Sequence, residues 1–309
     1  MINVLFAAHP DRWAAYETPL RTAFDKAGLS VDLRQEFAPD QVDYIVYAPN
    51  SPLQDFTPYT RTKAVLNLWA GVEKIVGNST LTQPLARMVD FGLRQGMLEW
   101  VTGHTLRYHL EIDYFLAHQS GDWKPLVPPL ARDRKVTVLG LGELGTACAQ
   151  ALAGLGFDVT GWSRSAKTIP GIRSLHGAAG LNEALTGAEI VALLLPNTPA
   201  TENTLNTDTL ALLAPGAAVI NPGRGPLIDD DALLAALDSG QVGRATLDVF
   251  RVEPLPADHP YWAHPKVTVT PHIASETRPE TASEVIVENI RRSEAGEELL
   301  FLVDRDLGY

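Results

Sequence analysis

The sequence predicts an α/β chain of two domains, each a parallel sheet wrapped by helices. Short β-branched or apolar runs alternate with longer amphipathic stretches along the chain. Its 309 residues suit two domains, at about 100–200 residues each. A Pro-rich segment, Pro125–Pro129, separates a first series of such runs from a second.

The elements follow in order. Asn3–Ala7 reads as a strand, then a helix runs to about Ala27 and is ended by Gly28. Further strands are expected at Ser30–Leu33, Tyr44–Tyr47, Ala64–Leu68 and Leu85–Val89, and a long helix from Glu99 to His118. The second series opens with the strand Lys135–Leu139 and continues at Val159–Trp162, Ile190–Leu194, Ala218–Asn221, Ala245–Val249 and Val267–Thr270. Its helices include Thr146–Leu155 and Asp230–Leu237, the latter preceded by Asp229 and closed by Gly240, an acidic start and a glycine stop. Thr281–Arg292 is the last helix.

Hydrophobic residues at 45% and charged residues at 20% are ordinary globular usage, and a chain of this length buries a core without staples. The single Cys148 excludes an internal disulfide framework and points to a reducing, cytoplasmic compartment. The start, MINVLFAAHP, lacks the basic run of a signal peptide, and no apolar run reaches the ~18 residues of a membrane span. A net charge of −12 argues against nucleic acid or an anionic membrane as partner. His104, His109, His118 and His176 lack metal-ligand spacing, so no metal is expected.

The strand Lys135–Leu139 runs directly into Gly140-Leu-Gly142-Glu143-Leu144-Gly145. Gly140 permits a tight turn, Gly142 lets the backbone approach a pyrophosphate, and Gly145 lets helix and strand pack closely. The N-terminus of the following helix, through Glu143 and Leu144, offers N–H groups and a partial positive charge to phosphates. A dinucleotide is expected here. NAD-binding versions end the next strand with Asp or Glu, which bonds the ribose hydroxyls. This one ends in Ser163, followed by Arg164, Ser165 and Lys167. A 2′-phosphate is repelled by a carboxylate and held by a guanidinium, so the expected cofactor is NADP(H).

Three late segments carry candidate chemistry, each just after a strand: Arg224 in Asn221–Asp229, Glu253 in Asp248–Pro256, and His272 in Thr270–Ser275. Loops beyond the carboxyl ends of parallel strands are where open α/β sheets bind ligands. A guanidinium holds a carboxylate bidentately, an imidazole gives a proton to a nascent alkoxide, and a carboxylate orients and charges the imidazole. Together they are the set that reduction of a 2-oxo acid requires.

With these motifs the sequence resembles the D-isomer-specific 2-hydroxyacid dehydrogenase family, and within it the glyoxylate/hydroxypyruvate reductase A group. The likeness spans essentially the whole chain, from Ala70-Gly71-Val72 through the glycine loop, Leu195-Pro196-Asn197-Thr198-Pro199 and the three late segments to Val303–Tyr309. It implies two doubly wound domains with the active site in the cleft between them. A discontinuous flavodoxin-like substrate domain would comprise 1–98 and 276–309, and a Rossmann domain 99–275. It implies that Ala70, Gly71 and Val72 offer N–H groups to the substrate carboxylate beside Arg224. Leu195, Pro196, Thr198 and Asp248 would line the cofactor, Thr198 and Asp248 on its nicotinamide side. It also implies a homodimer that uses the helix around Glu99–His118. Trp69 stands where many relatives have Gly, and Glu73 where many have Asp, which leaves the reaction class intact and opens the choice of substrate. Two rivals remain: a relative acting on a larger or phosphorylated hydroxy acid, and a nucleotide-sensing binding protein, which needs no proton-transfer set.

Overall fold

A computed structural model of the chain describes every residue as far as Gly308. Tyr309, the last residue of the terminal motif, lies outside the described residues. The chain forms two compact units, one of Met1–Leu93 with Glu276–Tyr309, the other of Arg94–Ser275.

The first pass through unit 1 lays down strand β1 (Ile2–Ala7), helix α1 (Trp13–Lys26), and strands β2 (Val31–Arg34), β3 (Tyr44–Tyr47), β4 (Ala64–Asn67) and β5 (Leu85–Ala86). Helix α2 (Phe91–His109), which passes into unit 2 at Arg94, and α3 (Ile112–Ala117) of unit 2 follow. Unit 2 then runs β6 (Lys135–Leu139), α4 (Glu143–Gly154), β7 (Asp158–Ser163), β8 (Arg173–His176), α5 (Gly177–Leu185), β9 (Ile190–Leu193), α6 (Thr207–Leu210), β10 (Ala217–Asn221), α7 (Asp230–Ser239), β11 (Val242–Leu247) and β12 (Val267–Val269). Helix α8 (Pro279–Glu294) belongs again to unit 1.

Among the described residues, unit 1 has a five-stranded sheet in the order β2-β1-β3-β4-β5, and unit 2 a seven-stranded sheet in the order β12-β11-β10-β9-β6-β7-β8. All pairs within these sheets are parallel. These are the two doubly wound orders, in which the strand order reverses beside the first strand of the sheet. The continuous apolar runs explain the double winding. Along β1, Val4 and Phe6 enter one core cluster while Leu5 and Ala7 enter another, and β3 divides Tyr44 and Val46 from Ile45 and Tyr47 likewise. Successive side chains of a strand point to opposite faces, so a sheet apolar at every position must be covered on both. No helix among the described residues is long and apolar enough to cross a membrane.

Three elements depart from expectation. The helix placed at Glu99–His118 starts earlier, at Phe91, and breaks at Glu111. Its start is capped by Asp90, whose Oδ2 accepts from the N–H groups of Gly92 (2.9 Å) and Leu93 (3.2 Å). Gly92 and Gly96 disguise this first part, since glycine weakens a helix. A side chain is excluded at both: a Cβ on Gly92 would lie 2.8 Å from Arg278 Cδ, and one on Gly96 2.8 Å from Ser275 Oγ. The break has Glu111 in the left-handed region, its carboxylate bonded to Arg244. Strand β5 stops at Ala86 and not at Val89, because Arg87 N–H turns to Phe301 O and Met88 N–H to Trp69 O. The edge strand β8 was not expected, since Arg-Ser-Leu-His carries no apolar run.

Candidate active site

In unit 2 the candidate residues sit on loops that leave the carboxyl ends of neighbouring strands. After β10, the buried Asn221 shapes the turn: its Nδ2 donates to Arg224 O (2.9 Å) and its Oδ1 accepts from Gly223 N–H (3.1 Å). Gly225 has no room for a side chain, because a Cβ would lie 2.0 Å from the Phe250 carbonyl carbon. The turn is thus seated directly on the backbone leaving β11. Arg224 is half-buried, and its Nη1 donates to the Gly223 carbonyl (2.6 Å).

After β11 comes Asp248, which is fully buried. Its Oδ1 accepts from Thr270 Oγ1 (2.6 Å) and Ile273 N–H (2.8 Å), and its Oδ2 from Ala274 N–H (2.8 Å). The Asp248 carbonyl accepts from His272 N–H (2.8 Å). These bonds hold the loop after β12 and keep His272 at φ 55°, in the left-handed region. Residues other than glycine are uncommon in that region, with histidine among the better tolerated. Asp248, expected on the nicotinamide side of the cofactor, thus also braces the His272 loop through its carboxylate.

Glu253 completes the arrangement. Its Oε1 accepts from Phe250 N–H (3.0 Å), and its Oε2 lies 2.8 Å from His272 Nδ1. An ionised carboxylate only accepts, so Nδ1 carries the hydrogen, and Nε2 is the nitrogen left for chemistry. The His272 side chain is half exposed. The structure therefore brings Glu253 and His272 into direct contact and sets Arg224 on the adjoining strand end.

Towards the other side of the sheet, β6 ends in the glycine loop. Gly140 has φ 105°, and a Cβ on it would lie 2.5 Å from Leu194 O; a Cβ on Gly145 would lie 1.7 Å from Gly140 O. Gly142 faces open space, and as N-cap of α4 it leaves the first turn at Glu143 and Leu144 without a side-chain cap. The first N–H groups of a helix have no partner within it, and here the backbone beside them is bare. That cradle fits a pyrophosphate. At the end of β7, Ser163 Oγ donates to Ser165 O (2.8 Å), Arg164 is exposed, and Lys167 Nζ donates to Leu141 O. No carboxylate stands at this strand end, so the donors fit a phosphate on the ribose. Lys167 also bonds the glycine loop, which the sequence did not signal.

After β9, Leu195, Pro196 and Thr198 form a turn tied by Thr201, whose Oγ1 donates to Pro196 O (2.7 Å) and accepts from Thr198 N–H (2.9 Å). Thr201, Asn221 and Thr270 were missed as site-shaping residues. Their signal was a short polar side chain placed next to a strand end, where it bonds loop backbone or an adjacent loop's side chain. In unit 1, the turn Trp69–Val72 follows β4. Asn67 Nδ2 holds it through Trp69 O (2.8 Å) and Gly71 O (3.1 Å), Val72 is buried, and Trp69 packs partly against the unit's core.

Residues 104–274 match the model of the D-isomer specific 2-hydroxyacid dehydrogenase NAD binding domain. The chain belongs to the D-isomer specific 2-hydroxyacid dehydrogenase family. A relative from Serratia proteamaculans, named glyoxylate/hydroxypyruvate reductase A, is 44% identical over 257 residues, 81% of this chain and 82% of its own. A family member from Xanthobacter autotrophicus, solved with NADPH and MES, is similar with a TM-score of 0.92 and 41% identity over 100% of this chain and 99% of its own. An NADPH-dependent glyoxylate/hydroxypyruvate reductase from Sinorhizobium meliloti, solved with NADP and sulfate, gives a TM-score of 0.86 at 32% identity, with both chains covered to 100%. In this dehydrogenase the matched domain is the one that carries the glycine loop and the Glu253–His272 pair.

Proposed function

We propose that the chain is an NADP(H)-dependent reductase of small 2-oxo acids, glyoxylate and hydroxypyruvate foremost. The carrying observation is the Glu253–His272 contact of 2.8 Å, placed one strand away from Arg224 in a dehydrogenase domain. The names of the Serratia and Sinorhizobium relatives support the substrate class. The bare strand end at Ser163, and the NADPH of the Xanthobacter neighbour, support the cofactor.

Gly140, Gly142, Glu143, Leu144 and Gly145 would hold the pyrophosphate, with Ser163, Arg164, Ser165 and Lys167 at the 2′-phosphate. Leu195, Pro196, Thr198 and Asp248 would line the cofactor further along. When bound, the reduced nicotinamide supplies the hydride for C2 of the oxo acid. Arg224 grips the substrate's carboxylate and its carbonyl oxygen, and opposes the charge that grows there. By the family resemblance, the N–H groups of Ala70–Val72 would bind the carboxylate and Trp69 would shape the acyl side. His272 Nε2 gives its proton to the oxygen that becomes the hydroxyl. Glu253 keeps the hydrogen on Nδ1, so the ring presents the donating nitrogen and its positive charge is balanced. Unit 1 is in this reading the substrate domain and unit 2 the cofactor domain.

We also read the chain as a cytoplasmic homodimer. Unit 2 exposes a run of apolar side chains after α2, including Leu116, Trp123 (98% exposed) and Val127 (85%). Exposed apolar side chains of this size suit an interaction face, and a second copy is the occupant the family resemblance implies. The test of the function is NADPH consumption with glyoxylate, hydroxypyruvate and phenylpyruvate, each compared with NADH. Turnover of the first two with NADPH is expected. Preference for phenylpyruvate, or for NADH, would overturn the corresponding part.

A further inference from the structure

We infer that Arg251 is a positioning residue: its guanidinium clamps the loops that follow β9, β10 and β11, and so fixes Arg224 relative to Glu253 and His272. The inference rests on the reductase reading for its kinetic consequence, but the clamp itself is a matter of geometry. Arg251 Nη2 donates to Ile228 O (2.6 Å) and to the side-chain oxygen of Asn203. Its Nη1 lies 3.4 Å from Glu202 Oε1, and its Nε 3.6 Å from Asp230 Oδ2. Glu202 and Asn203 belong to the loop after β9, Ile228 and Asp230 follow Arg224, and Arg251 itself stands two residues before Glu253. One planar group thus touches all three loops.

The surroundings show why that clamp bears on the site. The first two loops are paired through their backbones: Asn203 N–H donates to Pro226 O (2.9 Å), Leu205 N–H to Leu227 O (3.0 Å), and Asp229 N–H to Leu205 O (2.9 Å). They form one small layer, and Arg251 joins the Glu253 segment to it. Asp230 anchors the same segment further on, accepting from Tyr261 O–H (2.9 Å). Glu253 is therefore strung between two fixed points. The pair with Glu202 adds little, since that carboxylate is 55% exposed. Nη2 serves the Ile228 carbonyl and Asn203 while Nε lies towards Asp230 on the other edge of the plane, a spread of donors that a guanidinium has and the single ammonium of lysine lacks.

The experiment compares the full-length protein with Arg251→Ala and Arg251→Lys. In Arg251→Ala, kcat/KM for glyoxylate should fall about tenfold or more, through a higher KM as Arg224 loosens and a lower kcat as Glu253 shifts. NADPH affinity should fall much less than kcat/KM, by no more than about threefold, because the glycine loop lies at other strands and only the Leu195–Thr198 turn shares a clamped loop. Arg251→Lys should recover only part of the loss. Hydrogen exchange at the amides of 224–229 should quicken in Arg251→Ala. Kinetics within twofold of the unmutated enzyme, a matching loss of NADPH affinity, full recovery with lysine, or unchanged exchange would each overturn the clamp. An unmutated protein that does not reduce glyoxylate counts against the reductase reading instead, and the exchange measurement then decides the clamp alone.

Discussion

Glu253→Gln probes the proton-donating pair with almost no change of shape. In the native site both carboxylate oxygens accept, one from Phe250 N–H at 3.0 Å and the other from His272 Nδ1 at 2.8 Å. An amide has only one accepting oxygen. If that oxygen faces Phe250, the amide N–H₂ meets Nδ1, which must then give up its hydrogen. The ring is left as the neutral Nε2–H form, and donating from it would produce an imidazolate. If the oxygen faces Nδ1 instead, two donors meet at Phe250. The first arrangement disables the proton donor, the second leaves a donor mispaired at a cost of about 1–3 kcal/mol, and in both the charge-assisted bond is lost. The side chains of His272 and Glu253 are 51% and 36% exposed, so water softens the penalty. We therefore expect kcat/KM for glyoxylate to fall by about 10- to 100-fold, at roughly tenfold per 1.4 kcal/mol. NADPH binding, followed separately by fluorescence titration, should hardly change. Steady-state NADPH consumption is the assay, and a Gln variant within about twofold of the unmutated enzyme would refute the pairing as a working part of the site.

Arg224→Lys should raise KM for glyoxylate and lower kcat, since an ammonium cannot reproduce the planar fork; near-normal kinetics would make Arg224 a bystander. Arg164→Ala should weaken NADPH by about tenfold, or ~1.4 kcal/mol, while leaving NADH nearly untouched, and an equal loss for both nucleotides would remove it from the 2′-phosphate. Cys148 is fully buried, and burial pushes its thiol up to about 12. The thiolate is the reactive form, so iodoacetamide should leave the native protein unlabelled up to pH ~9 and label it once denaturant is added. Fast labelling of the native protein would show that α4 opens readily.

The parts of this molecule that were legible in its sequence are those where one residue type has one physical reason to be there. Gly140, Gly142 and Gly145 between a strand and a helix could be read as a phosphate cradle, and the structure shows how little space two of them have. Lys135–Leu139 coincides with β6, because an apolar run buried on both faces has no helical alternative at that length. Arg224, Glu253 and His272 were found as residues after strands, yet their mutual distances were not, since contact between Glu253 and His272 depends on the pairing of β11 with β12. The early start of α2 was hidden by glycines that serve close packing. The break at Glu111 was hidden because a left-handed glutamate has no sequence signature. Asn203 and Arg251 were invisible for a related reason: a clamp across three loops is a property of the sheet order, not of any local window.

The bonds from Asp248 to the loop of Thr270–Ala274 have a consequence for how the reaction's barrier is composed. They are made entirely within the polypeptide and require no bound molecule. The backbone at His272 is settled in its unusual conformation, and its ring is tethered to Glu253, when the chain folds. The rotational entropy of aiming the proton donor is therefore surrendered once in the lifetime of each folded molecule, and does not recur at every turnover.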